Sequence, residues 1–221
     1  MKAIKLILPV LFFCVSVRSQ NCRCPEEGIF KEEKVLKTFE FKNKIMLGLC
    51  GGSFETKGND TIYSGLDLFN CGENKLVEEW GEIELCEVKK IRDKLFIEEL
   101  YGIPVGKKFK EIWMPFYVNQ FYFTGNKLDH RTYYRKDIRR YSLVEITEVI
   151  QKYKQLKKGN YDYTVKIANM LFWAYVSGSK EAEVYLNGIE KKFGPFDGGI
   201  SEEWSEIYGT YQHYKEKSNH K

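Results

Sequence analysis

The sequence predicts an α+β protein: an N-terminal antiparallel β-sheet or sandwich held by disulfides, followed by about four C-terminal helices in hairpins. Three observations predict it. Apolar residues alternate with a period of two between about residues 35 and 125, and turn-forming residues separate the runs. Beyond residue 141 the period becomes helical. The cysteines lie only at and before Cys86, so any crosslinks belong to the β half.

The first 19 residues read as a cleavable signal peptide. Lys2 and Lys5 give a short positive n-region, Ile4 to Val17 is almost entirely apolar, and Val17-Arg18-Ser19 offers a cleavage site. The apolar run of roughly 13 residues is shorter than the roughly 20 that a spanning helix needs. The expectation is an extracytoplasmic protein, secreted or periplasmic, with a Cys22 lipid anchor as the lesser alternative. The full chain carries +4, from 35 basic and 31 acidic residues. Three of the basic residues, Lys2, Lys5 and Arg18, fall in the signal segment. The remainder is near neutral, which argues against nucleic acid as a partner.

Cys22, Cys24, Cys50, Cys71 and Cys86 remain after cleavage and are the disulfide candidates. Five is odd, so at least one has no partner within the chain. The expected arrangement is one bridge among Cys50, Cys71 and Cys86, and a second from the Cys22/Cys24 arm to the remaining member. Zinc on these thiols is a weaker reading, because the Cys22-x-Cys24 spacing is unusual and export disfavours free thiolates. No metal or cofactor is expected.

Within residues 20–126 the strands follow one another. Phe39 and Phe41 alternate with Glu40 and Lys42, and Ile45 to Cys50 is a short apolar run ending at Gly51-Gly52. Leu66 and Leu68 flank Asp67. Ile83 and Leu85 alternate with Glu82, Glu84 and Cys86. Leu95-Phe96-Ile97 precedes a turn at Gly102-Ile103-Pro104, and Ile112 to Phe123 is rich in aromatic and β-branched residues. The turns are marked by Lys57-Gly58-Asn59-Asp60, Cys71-Gly72-Glu73-Asn74, Gly106 and Gly125-Asn126.

Residues 142–216 read as a helical subdomain. Ser142-Leu143-Val144-Glu145 is a capping box, and Leu143, Ile146, Val149, Ile150, Tyr153 and Leu156 share one face. Further helices are expected at about Tyr163–Val176, Lys180–Phe193 and from Ser201. Lys157-Lys158-Gly159-Asn160-Tyr161-Asp162 recurs as Lys192-Phe193-Gly194-Pro195-Phe196-Asp197, an offset of 35 residues. A glycine in the left-handed conformation would end each helix before the next begins. The offset resembles that of tetratricopeptide-type helical hairpins, without that family's tryptophan–leucine–glycine–tyrosine spacing. Two such units cannot bury a solenoid core alone, so they are expected to pack on the β half.

The candidate binding residues lie in a basic connector, 127–141. It holds six basic and two acidic residues, and its arginines are interleaved with tyrosines: Arg131, Tyr133, Tyr134, Arg135, Arg139 and Arg140. Guanidinium offers a planar fork for carboxylate or phosphate, and tyrosine offers a stacking face. In a helix, Arg131, Arg135 and Arg139 would form one stripe. A connector paired with the acidic sheet is the competing reading.

Other chemistry is less well marked. Glu78, Glu79, Glu82, Glu84, Glu87, Glu98 and Glu99 could contain a carboxylate pair, and Asp129-His130 an acid–base dyad. Cys50 before Gly51-Gly52 could be a nucleophile but matches no protease signature. Trp113, Phe116, Tyr117, Phe121, Tyr122 and Phe123 read as core before they read as a sugar platform. Asn59-Asp60-Thr61 is a glycosylation sequon. The expected function is that of an exported, non-catalytic binding or interaction module engaging an acidic protein or anionic glycan through the basic segment. The alternative is a secreted hydrolase of envelope or extracellular polymer using glutamate and histidine.

Overall fold

The structure, a computed structural model, describes residues 22–31, 33–57, 60–106 and 110–219. The signal segment 1–19 and Asn59 of the sequon lie outside the described residues, as does the side chain of Glu82.

Among the described residues seven strands form one antiparallel sheet in which neighbours in sequence are neighbours in space. They are β1 (Lys37–Glu40), β2 (Met46–Lys57), β3 (Asp60–Asn70), β4 (Lys75–Ile91), β5 (Lys94–Val105), β6 (Lys110–Thr124) and β7 (Lys127–Tyr134). Four helices follow: α1 (Leu143–Lys154), α2 (Tyr161–Val176), α3 (Lys180–Phe193) and α4 (Gly198–Asn219). No helix among the described residues is long and apolar enough to cross a membrane.

Strand alternation sorts the side chains onto two faces. Leu47 and Leu49 of β2, Leu66 and Leu68 of β3, Leu95 and Ile97 of β5 and Phe121 of β6 meet in a core that takes nothing from the helices and adds Phe41 just past β1. A second core lies between the helices and the far end of the sheet. There Ile103 and Phe116 pack with Phe172 and Trp173 of α2. Trp173 Nε1 donates to the Gly102 carbonyl at 3.2 Å, and the Tyr141 hydroxyl donates to the Pro104 carbonyl. These bonds fix α2 and the start of α1 on the sheet. α2 therefore packs directly on β5 and α4 reaches β7, while α1 and α3 pack chiefly against α2.

The helix boundaries follow from local chemistry. The Ser142 hydroxyl accepts from the Glu145 amide while the Glu145 carboxylate accepts from the Ser142 amide, a complete capping box. Asn160 and Ser179 cap α2 and α3 in the same sense. The 35-residue repeat does not extend to its turns. Gly159 has φ +91°, whereas Gly194 has φ −74° and ψ −171°, an extended conformation. Gly51-Gly52 is likewise not a turn but a register irregularity within β2. A Cβ on Gly51 would stand 2.4 Å from the Gly65 carbonyl oxygen, and φ there is +144°.

The connector expected at 127–141 divides in two. Residues Lys127–Tyr134 are the seventh strand, and only 135–141 link sheet to helices. Charged residues hide the period: Leu128 packs on the strand core and His130 stacks on Phe121, while Arg131 and Tyr133 point to the other side. No helical arginine stripe forms.

The arm before β1 lies over the face of β2 and β3 opposite the strand core. Cys22 bonds Cys71, and Cys24 bonds Cys50. Gly48 allows the close approach, since a Cβ there would meet the Cys22 sulfur at 2.9 Å and the Phe69 ring at 2.3 Å. Under the arm the Phe30 amide donates to Asp67 at 2.9 Å. This pairing corrects the expected one. Both arm cysteines are used, none of the later three bonds another, and Cys86 is free and buried. The reason is the pleat. Cys50 and Cys71 face the arm, whereas Cys86 faces the strand core. A Cys22 thiol held in a disulfide is also not available for lipidation.

Thiol titration tests the pairing. Of the cysteines from Cys22 onward, none should react in the native, oxidised protein and one should react after denaturation without reductant. The enclosed loops span 26 and 49 residues. Removing either bridge by paired Cys→Ala substitution should cost on the order of 3–4 kcal/mol in urea unfolding. A native thiol that reacts promptly would contradict the placement of Cys86.

Candidate functional site

Two cavities flank the β5–β7 half of the sheet, and their chemistry is opposite. The first holds about 670 Å³ on the outer face, beside the edge strand β7. Register builds its floor. Lys89, Phe96, Gln120 and Arg131 lie in one row across β4 to β7, and Glu87, Glu98, Val118 and Tyr133 in the next. The connector closes one side with Arg135, Lys136 and Arg140, and the end of α4 closes another with Tyr214 and Lys217. Of the residues singled out from the sequence, Arg131, Tyr133, Tyr134, Arg135 and Arg140 all line this cleft. Arg139 does not. It pairs with Glu145 at the start of α1 and lies over the Tyr141 ring at 5.6 Å.

The cleft's cations divide into two kinds. Glu98, 8% exposed, sits between Lys89 at 3.2 Å and Arg135 at 3.2 Å. Lys89 also reaches Glu87 at 2.6 Å, and Arg135 also holds Asp137 at 2.5 Å. That last contact drops the Asp137 carboxyl to about 2. By contrast, Arg131, Lys136, Arg140 and Lys217 are exposed and form no ion pair among the described residues. Arg131 lies over the Tyr133 ring at 5.5 Å, and Arg140 donates to the Val176 carbonyl at 2.5 Å. So the reading of connector arginines paired with the acidic sheet holds for Arg135 and fails for Arg131, Arg139 and Arg140.

The second cavity, about 730 Å³, opens on the concave face between the sheet and α4. Its lining includes Glu84, Glu99, Glu111, Glu203 and Glu206, with Tyr101 and the half-exposed Trp113. Glu99 is the organised member. One oxygen accepts from Trp80 Nε1 at 3.0 Å and from Asn119 Nδ2 at 2.8 Å. Asn119 in turn meets His130 Nε2 at 3.1 Å, and His130 stacks on Phe121 with ring centroids 4.3 Å apart. Burial pushes the Glu99 carboxyl up to about 7, against the two donors that favour its charged form, with Glu84 and Glu78 adding repulsion. Burial also raises Glu84 and lowers His130. A carboxyl poised near neutrality can give or take a proton at physiological pH.

Several sequence expectations separate here. Asp129 and His130 are not a dyad. Asp129 accepts from the Thr124 hydroxyl at 2.6 Å, while His130 turns to Asn119 and lies 4.0 Å from Glu78. Cys50 is in a disulfide, and so are Cys22 and Cys24, which removes the nucleophile and those zinc ligands. Among the described residues no three His, Cys, Asp or Glu converge on a metal position. Phe116 and Phe121 are core, and Trp113 alone of that stretch is more than half exposed. The partnership of Glu99 with Trp80 and Asn119 was not read from the sequence. The signal was present only as a single charge where the alternation Leu95, Ile97, Glu99, Tyr101 calls for another apolar residue.

Glu99 carries a pH prediction. Its folded-state value lies above 4.5, so the folded protein holds this proton more tightly than the unfolded chain. The associated stability is fully present below about pH 4.5 and is lost as pH rises through about 7. Urea unfolding at pH 5 and pH 8 should therefore show Glu99→Gln gaining on the wild type at the higher pH. Parallel pH profiles for the two proteins would contradict the assignment.

The chain matches no family model, and no curated protein or solved structure matches it.

Proposed function

We propose that this chain is an exported binding module that takes an anionic ligand in the basic cleft beside β7. The observation that carries the reading is the convergence of Arg131, Tyr133, Tyr134 and Arg140 with Lys136 and Lys217 on one cavity. These residues come from a strand, a connector and a helix, with Lys217 more than 70 positions beyond the others. Folding assembles unpaired positive charge beside aromatic rings, a combination suited to carboxylate, sulfate or phosphate. The two disulfides accord with an extracytoplasmic setting, secreted or periplasmic.

The unpaired residues give the clean test. Reversing Arg135 would strand the buried Glu98, and reversing Arg139 would disturb the α1 cap, so both confuse binding with folding. Arg131→Glu with Lys136→Glu and Lys217→Glu removes three exposed cations without breaking an ion pair. Binding of dextran sulfate or poly-glutamate should weaken by at least about tenfold and lose much of its salt dependence. A control reversing Lys37, Lys180 and Lys191, which lie outside the cleft, should retain most of the affinity. Equal loss in both variants would reduce the effect to net charge and overturn the site.

Hydrolysis of an extracellular polymer is the second reading. It rests on Glu99, fixed by Trp80 and Asn119 at the wall of the acidic cavity. Any such activity should vanish in Glu99→Gln while polyanion binding persists. Hydrolysis that survives the substitution would remove Glu99 from the chemistry.

A further inference from the structure

The geometry points to an oligosaccharide bearing sulfate or carboxylate groups along its length as the ligand of the basic cleft. This rests on the anion-binding reading above and narrows it.

Size comes first. A cavity of about 670 Å³ falls within the range of small-molecule sites, roughly 300–1,000 Å³. It seats a few sugar rings of a short chain, whose ends can run past the open mouth of the cleft, and it is too small to enclose a folded protein. Charge placement comes second. The four cations without an ion pair are spread over three walls: Arg131 on β7, Lys136 and Arg140 on the connector, Lys217 on α4. Arg135 and Lys89, which could have clasped a compact phosphate at the floor, are already paired there with Glu98, Asp137 and Glu87. Single positive charges set apart around a cleft match single negative charges set apart along a chain.

The rings come third. Tyr133, Tyr134 and Tyr214 line the same space. Tyr134 and Tyr214 pack on Phe116 and on each other, so Tyr133 is the ring of the three left to present an apolar face and, at its edge, a hydroxyl. A sugar ring has the matching pattern of an apolar face and peripheral hydroxyls. An acidic peptide would use the charges but has no such use for the tyrosines. The Tyr134 hydroxyl is already engaged with His213 Nδ1 at 2.7 Å, which holds its ring in place and leaves Tyr133 as the adjustable platform.

Calorimetry on the oxidised protein at about 0.15 M salt, where exposed charges act over about 8 Å, distinguishes the ligands. The probes are a heparin-derived hexasaccharide, the same hexasaccharide with its sulfates removed, and an octaglutamate peptide. The inference expects saturable binding of the sulfated sugar, at least about tenfold tighter than either comparator. Arg131→Glu/Lys217→Glu should weaken it at least tenfold, and Tyr133→Ala should weaken it severalfold, with unchanged thermal unfolding as the check on folding. If octaglutamate binds as tightly as the sulfated sugar, the glycan assignment is overturned and the anion-binding reading survives. If Tyr133→Ala has no effect, binding is by charge alone and the assignment also fails. If neither anion binds, both readings fall.

Discussion

Glu98 is the residue on which the basic cleft depends. It is an acid on the outer face of a central strand, almost wholly buried, and it lies between Lys89 of β4 and Arg135 just past β7. Leaving such a charge unpaired in the interior would cost several kcal/mol, so the two cations are held where they are. That constraint has two consequences. It ties the connector to the sheet at the point where the chain leaves β7. It also consumes the positive charge at the cleft floor, so that the net attraction for an anion comes from the walls. A cleft with the same composition and no Glu98 would be more positive, but its walls would lack a fixed origin.

Alternation on the same strand generates the second cavity. Glu98 faces outward, and its neighbour Glu99 faces the concave side. There Cys86, Glu99, Tyr117 and Tyr134 form one row across β4 to β7. This row is the boundary between the core made by strands and the core made with helices. The boundary is polar because α4 covers the sheet only up to it: His213 meets Tyr134, and beyond that the cavity opens. Two adjacent glutamates thus serve opposite environments. One is paired with two cations. The other is raised toward neutrality by burial and by nearby acids. α4 contributes to both cavities, with Glu203 and Glu206 near its start and Tyr214 and Lys217 near its end.

Much of the fold was legible from pattern. The capping box at Ser142 and Glu145, the α3 boundaries and the aromatic strand β6 follow from signals that act over a few residues. Less legible were features decided by which face a residue takes. Cys86 appeared equivalent to Cys50 and Cys71 until the pleat placed it on the opposite side of the sheet. Lys127–Tyr134 hid a strand, because the outward positions of an edge strand carry the charges that obscure its period. The binding residues were found by composition and grouped by the fold, with Arg139 excluded because its nearest strong partner, Glu145, is only six residues away. Lys89 and Lys217 could not have been added from the sequence. They reach the cleft through strand register and through the return of α4, and neither is local.

The central claim is that the exposed guanidinium groups of the cleft, and not those already paired, contact an anionic ligand. Side-chain NMR of the arginine Nε–Hε groups reports this directly during titration with the sulfated hexasaccharide. The account predicts saturable shifts at Arg131 and Arg140, smaller ones at Arg135, and none at Arg139. Shifts at Arg139 comparable to those at Arg131, or no saturable shift at Arg131, would contradict it.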